Sequence, residues 1–232
     1  MISVIIPTYN EKKNISKILK KLLSIKIISE IIFVDDSSTD GTFNEIKKFL
    51  KNKKVKAYKR NKIKRDLSRS VLLGVKKSKN ELILVMDCDL QHNSDYIIKM
   101  KKKLVQNNFD IVIASRFSEK KIEGNLGFFR SLLSNFAIKF ISYVLGRKSL
   151  DPLSGFFLCK KDIISKYEKF FFKRGYKILF DIIYNGKNNL KIGHQQIIFK
   201  KRKYEKSKFN LKIIFIFLLQ ILYTFTVVKK VK

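Results

Sequence analysis

The chain is poor in cysteine and in acidic residues. Its two cysteines, Cys88 and Cys159, are too few for a disulfide framework and lack the spacing of a zinc site, which favours a reducing compartment. A strand pattern begins at Ile2, and no charged segment followed by an apolar one precedes it, so we expect no secretory signal peptide. At 232 residues and 45% apolar content, the sequence can bury the core of one large or two small domains.

Acidic residues are outnumbered by basic ones, 19 to 51, which gives a formal net charge of +32. An excess of this size indicates an anionic partner, such as nucleic acid, an acidic membrane surface or a phosphorylated substrate. Only eight of the basic residues are arginines, and much of the lysine accompanies a general abundance of Lys, Ile, Asn and Phe. The arginines are therefore more informative, because Arg forms bidentate phosphate contacts that Lys does not.

The apolar run at residues 82–86 is followed by Asp87, Asp89 and Gln91. Five apolar residues bounded by charge predict a buried strand, and the i, i+2 spacing points both carboxylates the same way in an extended chain. Two such carboxylates repel each other unless a cation lies between them. Oxygen ligands suit Mg²⁺ or Mn²⁺, which often bridge to substrate phosphates. The simpler alternative is a pair of turn aspartates that cap the next helix.

Strand and helix patterns alternate through the first half of the chain. Strands are predicted at 2–6, 31–34, 55–58, 82–86 and 111–114, with helical patterns between them and after Ser94. The alternation predicts an α/β fold with a mostly parallel sheet, in which ligands bind outside the carboxyl ends of the strands. Polar clusters follow four of these ends, at residues 9–11, 35–36, 87–91 and 115–116. Four clusters at one edge favour a binding site over helix caps alone.

The second half carries a long apolar helical pattern at 128–145, with Arg130 and Ser134 at i, i+4 on one face. A solvated arginine beside a small residue is one interpretation, and a phosphate clamp is the other. A tight turn at 151–157 leads into a strand, a helix is predicted at 175–183, and the last strand is predicted at 195–199.

The tail of the chain, residues 209–228, is almost wholly apolar, and 213–228 contain no charge. Sixteen helical residues span roughly 24 Å, which is less than the ~30 Å of a bilayer core. We therefore expect this helix to lie in the membrane interface or to pack on the domain rather than to cross the bilayer. Lysines at both of its ends suit anionic lipid headgroups.

Together these motifs resemble the inverting GT-A glycosyltransferases of family 2. The resemblance rests on residues 5–11, 34–42, 85–92 and 115–117. Later motifs narrow it to dolichol-phosphate mannose synthases and their bacterial polyprenyl-phosphate relatives: Phe129-Arg130 with Ser134, residues 151–156 and 175–179, and Arg202 with Ser207-Lys208. The resemblance implies a Rossmann-like GT-A domain over residues 1–208, with a mostly parallel sheet flanked by helices. An apolar, membrane-associated helix would follow over residues 209–232.

The resemblance also implies roles for the matching residues. Those that would hold the nucleoside of a sugar donor are Pro7, Tyr9, Glu11 and Asp36. Those that would hold Mg²⁺ or Mn²⁺ against the diphosphate are Asp87, Asp89 and Gln91. Those that would bind phosphate, chiefly that of a lipid acceptor, are Arg116, Arg130, Ser134 and Arg202. Catalysis would depend on Asp89, Arg116 and Arg130.

The sequence departs from the family pattern at three places. Asp66 stands where the family often has Gly, and Asn93-Ser94 stand where it has prolines. Glu205 replaces the Gly of the motif R-x-x-G-x-S-K that contains Arg202, and it would make this acceptor loop less mobile.

The implied function is transfer of a hexose, with GDP-mannose as the first choice of donor, to a polyprenyl or dolichyl phosphate. The enzyme would act as a peripheral or monotopic protein at the cytoplasmic face of the membrane. A phosphomonoester is already anionic at neutral pH, so it can attack the anomeric carbon without a strong general base, and we expect His92 to be structural.

Two alternatives remain open. A family 2 enzyme could use a UDP-sugar or a soluble acceptor, although the apolar segments at 128–145 and 209–228 favour a lipid. A basic nucleic-acid-binding protein would explain the charge, but carboxylates at the strand ends would repel a phosphate backbone without a metal. We therefore expect no nucleic-acid partner.

Overall fold

The computed structural model describes residues 1–61, 65–115, 141, 143–145, 151–175, 177–186, 188–198 and 211–228. Four predicted phosphate ligands lie outside these residues, namely Arg116, Arg130, Ser134 and Arg202. Glu205 and most of the predicted helix at 128–145 lie outside them as well.

The described residues form a seven-stranded sheet with the order β3-β2-β1-β4-β6-β5-β7. Its strands are β1 (Ile2–Thr8), β2 (Ile28–Asp35), β3 (Val55–Lys59), β4 (Leu82–Val85), β5 (Ile111–Ser115), β6 (Phe157–Lys160) and β7 (Ile192–Gln196). Only β6 runs antiparallel to its neighbours, β4 and β5, and the remaining pairs in this sheet are parallel. The predicted α/β fold with a mostly parallel sheet is confirmed.

Helices connect the strands and cover both faces of the sheet. They are α1 (Lys12–Leu23), α2 (Thr42–Lys47), α3 (Leu67–Lys77), α4 (Tyr96–Gln106), α5 (Lys161–Tyr167), α6 (Ile178–Gly186) and α7 (Leu211–Tyr223), and a π-helical segment (Thr224–Val228) continues α7. In α1 the buried residues Ile15, Ile18, Leu19 and Leu22 recur every three or four positions, so one stripe of the helix packs on the sheet.

The apolar core has two halves, one on each face of the sheet. Val4 and Ile6 of β1 belong to the half that contains residues of α1, α2 and α4. Ile5 belongs to the half that contains residues of α3, α5, α6 and α7. This alternation follows from the two-residue period of a strand, whose successive side chains point to opposite faces.

Two predicted elements were wrong in their bounds. The last strand is Ile192–Gln196 rather than 195–199, because it is this segment that pairs in parallel with β5, while the more apolar Ile197 and Ile198 follow it. The helix predicted to begin at Gly175 begins at Ile178. Gly175 has a φ of +86°, a left-handed conformation that cannot start a right-handed helix.

The apolar tail packs on the domain through one side of α7. Phe217, Ile221 and Tyr223 pack in the core half that contains α6, and the Phe217 ring meets Phe180 of α6 edge-on, with 5.4 Å between ring centroids. Within the described part of the chain, no helix combines the length and the apolar character needed to cross a membrane.

Candidate active site

The topology places a crevice at the carboxyl end of the sheet, between β1 and β4. The connection from β1 through α1 leads to β2 on one side of β1, and the connection from β3 through α3 leads to β4 on its other side. The two helices cover opposite faces of the sheet. This reversal of direction is where open α/β sheets bind their ligands. Tyr9 follows β1 at this point, and Asp87 follows β4.

Asp87 is the more accessible of the two paired carboxylates. Its side chain is 37% exposed, and its Oδ2 lies 3.6 Å from Nε2 of His92. Asp89 is buried, and its Oδ1 accepts a hydrogen bond of 3.2 Å from the backbone N–H of Gln91. The structure therefore brings the three predicted metal ligands into one turn, with one carboxylate facing outward and the other supporting the loop.

His92, which was expected to be structural, packs against this turn. Its side chain is buried, and its ring lies 4.9 Å from the ring of Phe156, between centroids, in a tilted arrangement. Phe156 follows Ser154 and Gly155, and the Ser154 hydroxyl donates to the carbonyl of Ala114 in β5 over 2.8 Å. The motif at 154–156 is thus fixed between the ends of β4 and β5.

Gly155 lies directly against the Asp87 carboxylate. A Cβ atom at this position would stand 2.1 Å from Oδ2 and 2.6 Å from Cγ of Asp87, closer than carbon atoms approach one another. Only glycine leaves room for the Asp87 side chain in its observed position. The sequence shows the glycine, but not that it adjoins this aspartate, because the two are 68 positions apart in the chain.

The turns after β1 and β2 are joined by hydrogen bonds. The backbone N–H of Asn10 donates to Ser38 Oγ over 2.9 Å, and the N–H of Glu11 donates to Thr42 Oγ1 over 2.8 Å. The Glu11 carboxylate accepts from Nδ2 of Asn14 over 2.6 Å, inside the first turn of α1. Glu11 and Pro7, which were predicted to hold the nucleoside of the sugar donor, are both buried. Their side chains therefore help to shape the crevice, and little of their surface is exposed to a ligand.

Asp36 sits at the end of β2 in a buried cluster with Arg60 and Asp66. Nη1 of Arg60 donates to Asp36 Oδ1 over 2.6 Å and to the backbone carbonyl of Asp66 over 2.7 Å. The backbone N–H of Asp66 donates to Asp36 Oδ2 over 2.5 Å. Burial raises the pKa of Asp36, against the lowering effects of the Asp66 N–H and of Arg60. Both carboxylate oxygens of Asp36 are thus used within the protein.

Sequence reasoning missed Arg60 and Arg65, which lie beside Asp36 and Tyr9, two of the residues predicted to hold a nucleoside. Arg60 directly follows β3, and Arg65 precedes α3, where its guanidinium carbon lies 4.0 Å from the centroid of the Tyr9 ring. The sequence contained a signal for both residues. They are two of only eight arginines, and they follow β3, which ends at the same edge of the sheet as β1 and β2.

The oxygen atoms of the Asp87 turn, which contains Asp87, Asp89 and Gln91, suit a hard divalent cation. The turn offers carboxylate oxygens and an amide oxygen at one strand end, the ligand type that Mg²⁺ and Mn²⁺ take together with substrate phosphates and water. Among the described residues, no three or more acidic, histidine or cysteine side chains form a group that could hold a metal ion.

Comparison with known proteins agrees with these motifs. Residues 3–168 match the model of Glycosyl transferase family 2. The chain is 34% identical to a dolichol-phosphate mannosyltransferase of Pyrococcus furiosus over 94% of its own length, and it spans 61% of that protein. It is 30% identical to the dolichol-phosphate mannosyltransferase of Saccharomyces cerevisiae, over 96% of this chain and 87% of that one.

Solved structures share the fold at much lower sequence identity. A crystal structure of glucosyl-3-phosphoglycerate synthase from Mycobacterium tuberculosis, in complex with Mn²⁺, UDP-glucose and phosphoglyceric acid, superimposes with a TM-score of 0.68. The identity is 16%, and the match covers 89% of this chain and 72% of that one. The family model and the two mannosyltransferases show that this chain belongs to glycosyl transferase family 2, in the group of the dolichol-phosphate mannosyltransferases.

Proposed function

We propose that the protein transfers a hexose from a nucleotide sugar to a polyprenyl or dolichyl phosphate, with inversion at the anomeric carbon. GDP-mannose is the first choice of donor. The observation that carries the proposal is the outward-facing Asp87 beside Asp89 at the crevice between β1 and β4, in a chain similar to dolichol-phosphate mannosyltransferases over nearly its whole length.

In this proposal the Asp87 turn binds the diphosphate end of the donor. Asp87, Asp89 and Gln91 would hold Mg²⁺ or Mn²⁺, which when bound offsets the negative charge that builds on the leaving nucleoside diphosphate. His92 lies 3.6 Å from the Asp87 carboxylate, and Gly155 leaves the space that the carboxylate occupies. Such positioning matters because the reaction needs an aligned acceptor and leaving group more than it needs a strong base.

The acceptor phosphate supplies its own nucleophile. Its oxygen is ionised at neutral pH, so no side chain has to remove a proton for it to attack the anomeric carbon. The predicted phosphate ligands Arg116, Arg130, Ser134 and Arg202 would hold this anion and screen it from the donor diphosphate.

The location at a membrane is also part of the proposal. The side of α7 that faces away from the domain exposes four large apolar side chains: Phe215, Leu218, Leu219 and Leu222. A contiguous exposed apolar surface of this kind on an otherwise strongly basic protein suits an anionic lipid interface, which would bring the enzyme to its acceptor. We place the protein at the cytoplasmic face, as a peripheral or monotopic enzyme.

The test is a transfer assay with radiolabelled nucleotide sugars, GDP-mannose and UDP-glucose among them, and polyprenyl phosphate in vesicles. We expect label in the lipid extract, highest with GDP-mannose, and a reversible loss of transfer on addition of EDTA. Label only in water-soluble products would favour the alternative with a soluble acceptor, and a higher rate with UDP-glucose would correct the donor. Absence of transfer from every nucleotide sugar would overturn the proposal.

The variant Asp89→Ala tests the predicted role of the Asp87 turn in transfer. It removes a buried carboxylate of the Asp87 turn, so transfer should fall at least about 100-fold, a loss typical of removing a group that stabilises charge in the transition state. Asp162→Ala, which removes an exposed acid in the first turn of α5, serves as the control and should leave the rate unchanged. Full activity of the Asp89 variant would remove this residue from the site.

A further inference from the structure

Arg65 lies over the aromatic ring that the donor nucleoside is proposed to meet. Its guanidinium carbon is 4.0 Å from the centroid of the Tyr9 ring, well within the range of a cation–π contact. Arg65 is exposed, and Tyr9 directly follows β1 at the crevice. A flat, delocalised cation thus covers an aromatic ring at the base end of the proposed donor site.

The backbone beside Arg65 is fixed to the end of β2. The N–H of the next residue, Asp66, donates to Asp36 Oδ2, and the Asp66 carbonyl accepts from Arg60 Nη1. Asp66 also caps α3, because its Oδ1 accepts from the backbone N–H of Arg69 over 3.0 Å. The side chain of Asp36 therefore holds the segment that delivers Arg65 to Tyr9.

We propose that Arg65 is a donor-binding residue, whose guanidinium forms with the Tyr9 ring the stacking surface for the nucleobase, and that Asp36 acts through it as a positioning residue. Nucleobases stack readily on both arginine and aromatic planes. Asp36 has its two carboxylate oxygens bound to Arg60 and to the Asp66 N–H, so its contribution to donor binding comes from holding this segment. The inference rests on the proposed use of a nucleotide-sugar donor.

The experiment measures binding of GDP and of UDP, each with Mg²⁺, to the full chain by calorimetry. Arg65→Ala should weaken binding of the preferred nucleotide by roughly 3- to 30-fold, the range expected for loss of a cation–π contact. Arg65→Lys should recover little of the loss, because an ammonium keeps the charge but not the plane. Lys51→Ala, which removes one exposed charge just before β3 at the opposite edge of the sheet, should bind as the wild type does.

Binding of inorganic pyrophosphate with Mg²⁺ distinguishes recognition of the nucleobase from attraction to the diphosphate charge, because pyrophosphate carries the charge but has no base. Its affinity should be the same in the wild type and in both Arg65 variants. If Arg65→Ala weakens pyrophosphate as much as it weakens the nucleotide, Arg65 belongs to the diphosphate site and the assignment is wrong. If Arg65→Ala binds the nucleotide as tightly as the wild type, Arg65 has no part in donor binding.

A double-mutant cycle tests the role of Asp36. If Asp36→Asn acts through Arg65, the double variant with Arg65→Ala should bind the nucleotide no more than about twofold more weakly than the weaker single variant. Fully multiplicative losses would show that Asp36 contacts the nucleoside independently. The Arg65 variants remain decisive even if Asp36→Asn fails to fold. A wild type that binds no nucleoside diphosphate at all would overturn the proposed function itself.

Discussion

At the scale of single residues, Gly155 controls where the Asp87 carboxylate can lie. An added methyl group would overlap Oδ2, Cγ and Oδ1 of Asp87, at 2.1, 2.6 and 2.8 Å. The Asp87 side chain is partly exposed and can swing away, so Gly155→Ala should fold but misplace the carboxylate. We expect kcat/KM for transfer to fall about 10- to 100-fold, as for a misplacement of about 1 Å in a catalytic site, with little change in Tm.

Gly193→Ala in β7 is the matched control. Its added Cβ would stand 2.5 Å from the Phe109 ring, a clash of similar severity on a side chain outside the Asp87 turn. This variant should lower Tm and leave kcat/KM of the folded protein near that of the wild type. If the two glycine variants lose stability equally and both retain activity, the close fit of Gly155 to Asp87 has no catalytic consequence.

The residues of the site were predictable where they follow a strand directly. Tyr9, Asp36, Asp87 and Asp89 stand at strand ends in the sequence, and the structure places them at one edge of the sheet. The contacts of Arg65 with Tyr9 and of Gly155 with Asp87 were not predictable. They join segments that are distant in the sequence, and the spacing of residues along one segment carries no information on such contacts.

At the scale of elements, the parallel half of the sheet was easier to predict than the rest. β1 to β4 alternate with amphipathic helices, and their parallel direction follows from that alternation. β6 has a short buried apolar run, but it enters between β4 and β5 in the antiparallel direction. A strand after the turn at 151–157 was predicted, but its antiparallel place in the sheet depends on tertiary contacts. β7 carries Gly193 and His194 at its centre, so it lacks the continuous apolar run of a buried parallel strand. β7 was placed three residues too late because the more apolar Ile197 and Ile198 follow it.

The contact between α6 and the apolar tail includes a buried acid, Asp181. It is fully buried on α6 and accepts a hydrogen bond from the Phe172 N–H over 3.3 Å. Burial raises the pKa of Asp181 to about 7, against the lowering effects of Gln220 of α7 and of the Phe172 N–H. The folded protein therefore keeps a proton between about pH 4 and pH 7 that the unfolded chain releases.

This difference predicts that Asp181→Asn raises the thermal stability of the protein, relative to the wild type, by an amount that increases with pH. The contribution of Asp181 to stability is fully present below its unfolded pKa and is lost as the pH rises through about 7. An amide has no proton to lose, so the Tm of the variant relative to the wild type should rise between pH 5 and pH 8. Asp162→Asn, at an exposed acid of α5, should show a constant difference, and a constant difference for Asp181→Asn would contradict the prediction.

At the scale of the whole molecule, basic charge and one exposed apolar surface point to the same partner. The net charge of +32 attracts anionic surfaces from any direction, and salt weakens this attraction within a Debye length of about 10 Å at 0.1 M. In the proposed membrane-bound state, the apolar side of α7 would add a hydrophobic contribution to binding that salt does not screen, and it would determine which side of the molecule faces the lipid. A membrane-bound state that survives moderate salt would therefore depend on α7.

Leu218→Ser with Leu222→Ser tests that dependence. The two leucines are 50% and 58% exposed and stand at i, i+4 on the outward side of α7, away from the contacts of Phe217 and Ile221 with the domain. Fully burying a leucine side chain is worth roughly 1.5 to 3 kcal/mol, so burying the exposed halves of two should be worth about 2 kcal/mol. We expect the double variant to partition onto vesicles of anionic lipids at least about tenfold more weakly than the wild type, measured by cosedimentation at moderate salt.

The control replaces two exposed apolar side chains of a different helix, α4. Ile98→Ser with Val105→Ser acts on two exposed residues of α4, 55% and 61% exposed, and should leave partitioning unchanged. Circular dichroism and Tm of both double variants show whether the helices remain folded. Because lysines contribute to binding at low salt, the gap between the α7 variant and the wild type should widen as salt is raised. Equal partitioning of all three proteins at every salt concentration would show that α7 is not the lipid-binding surface, and that charge alone accounts for the binding.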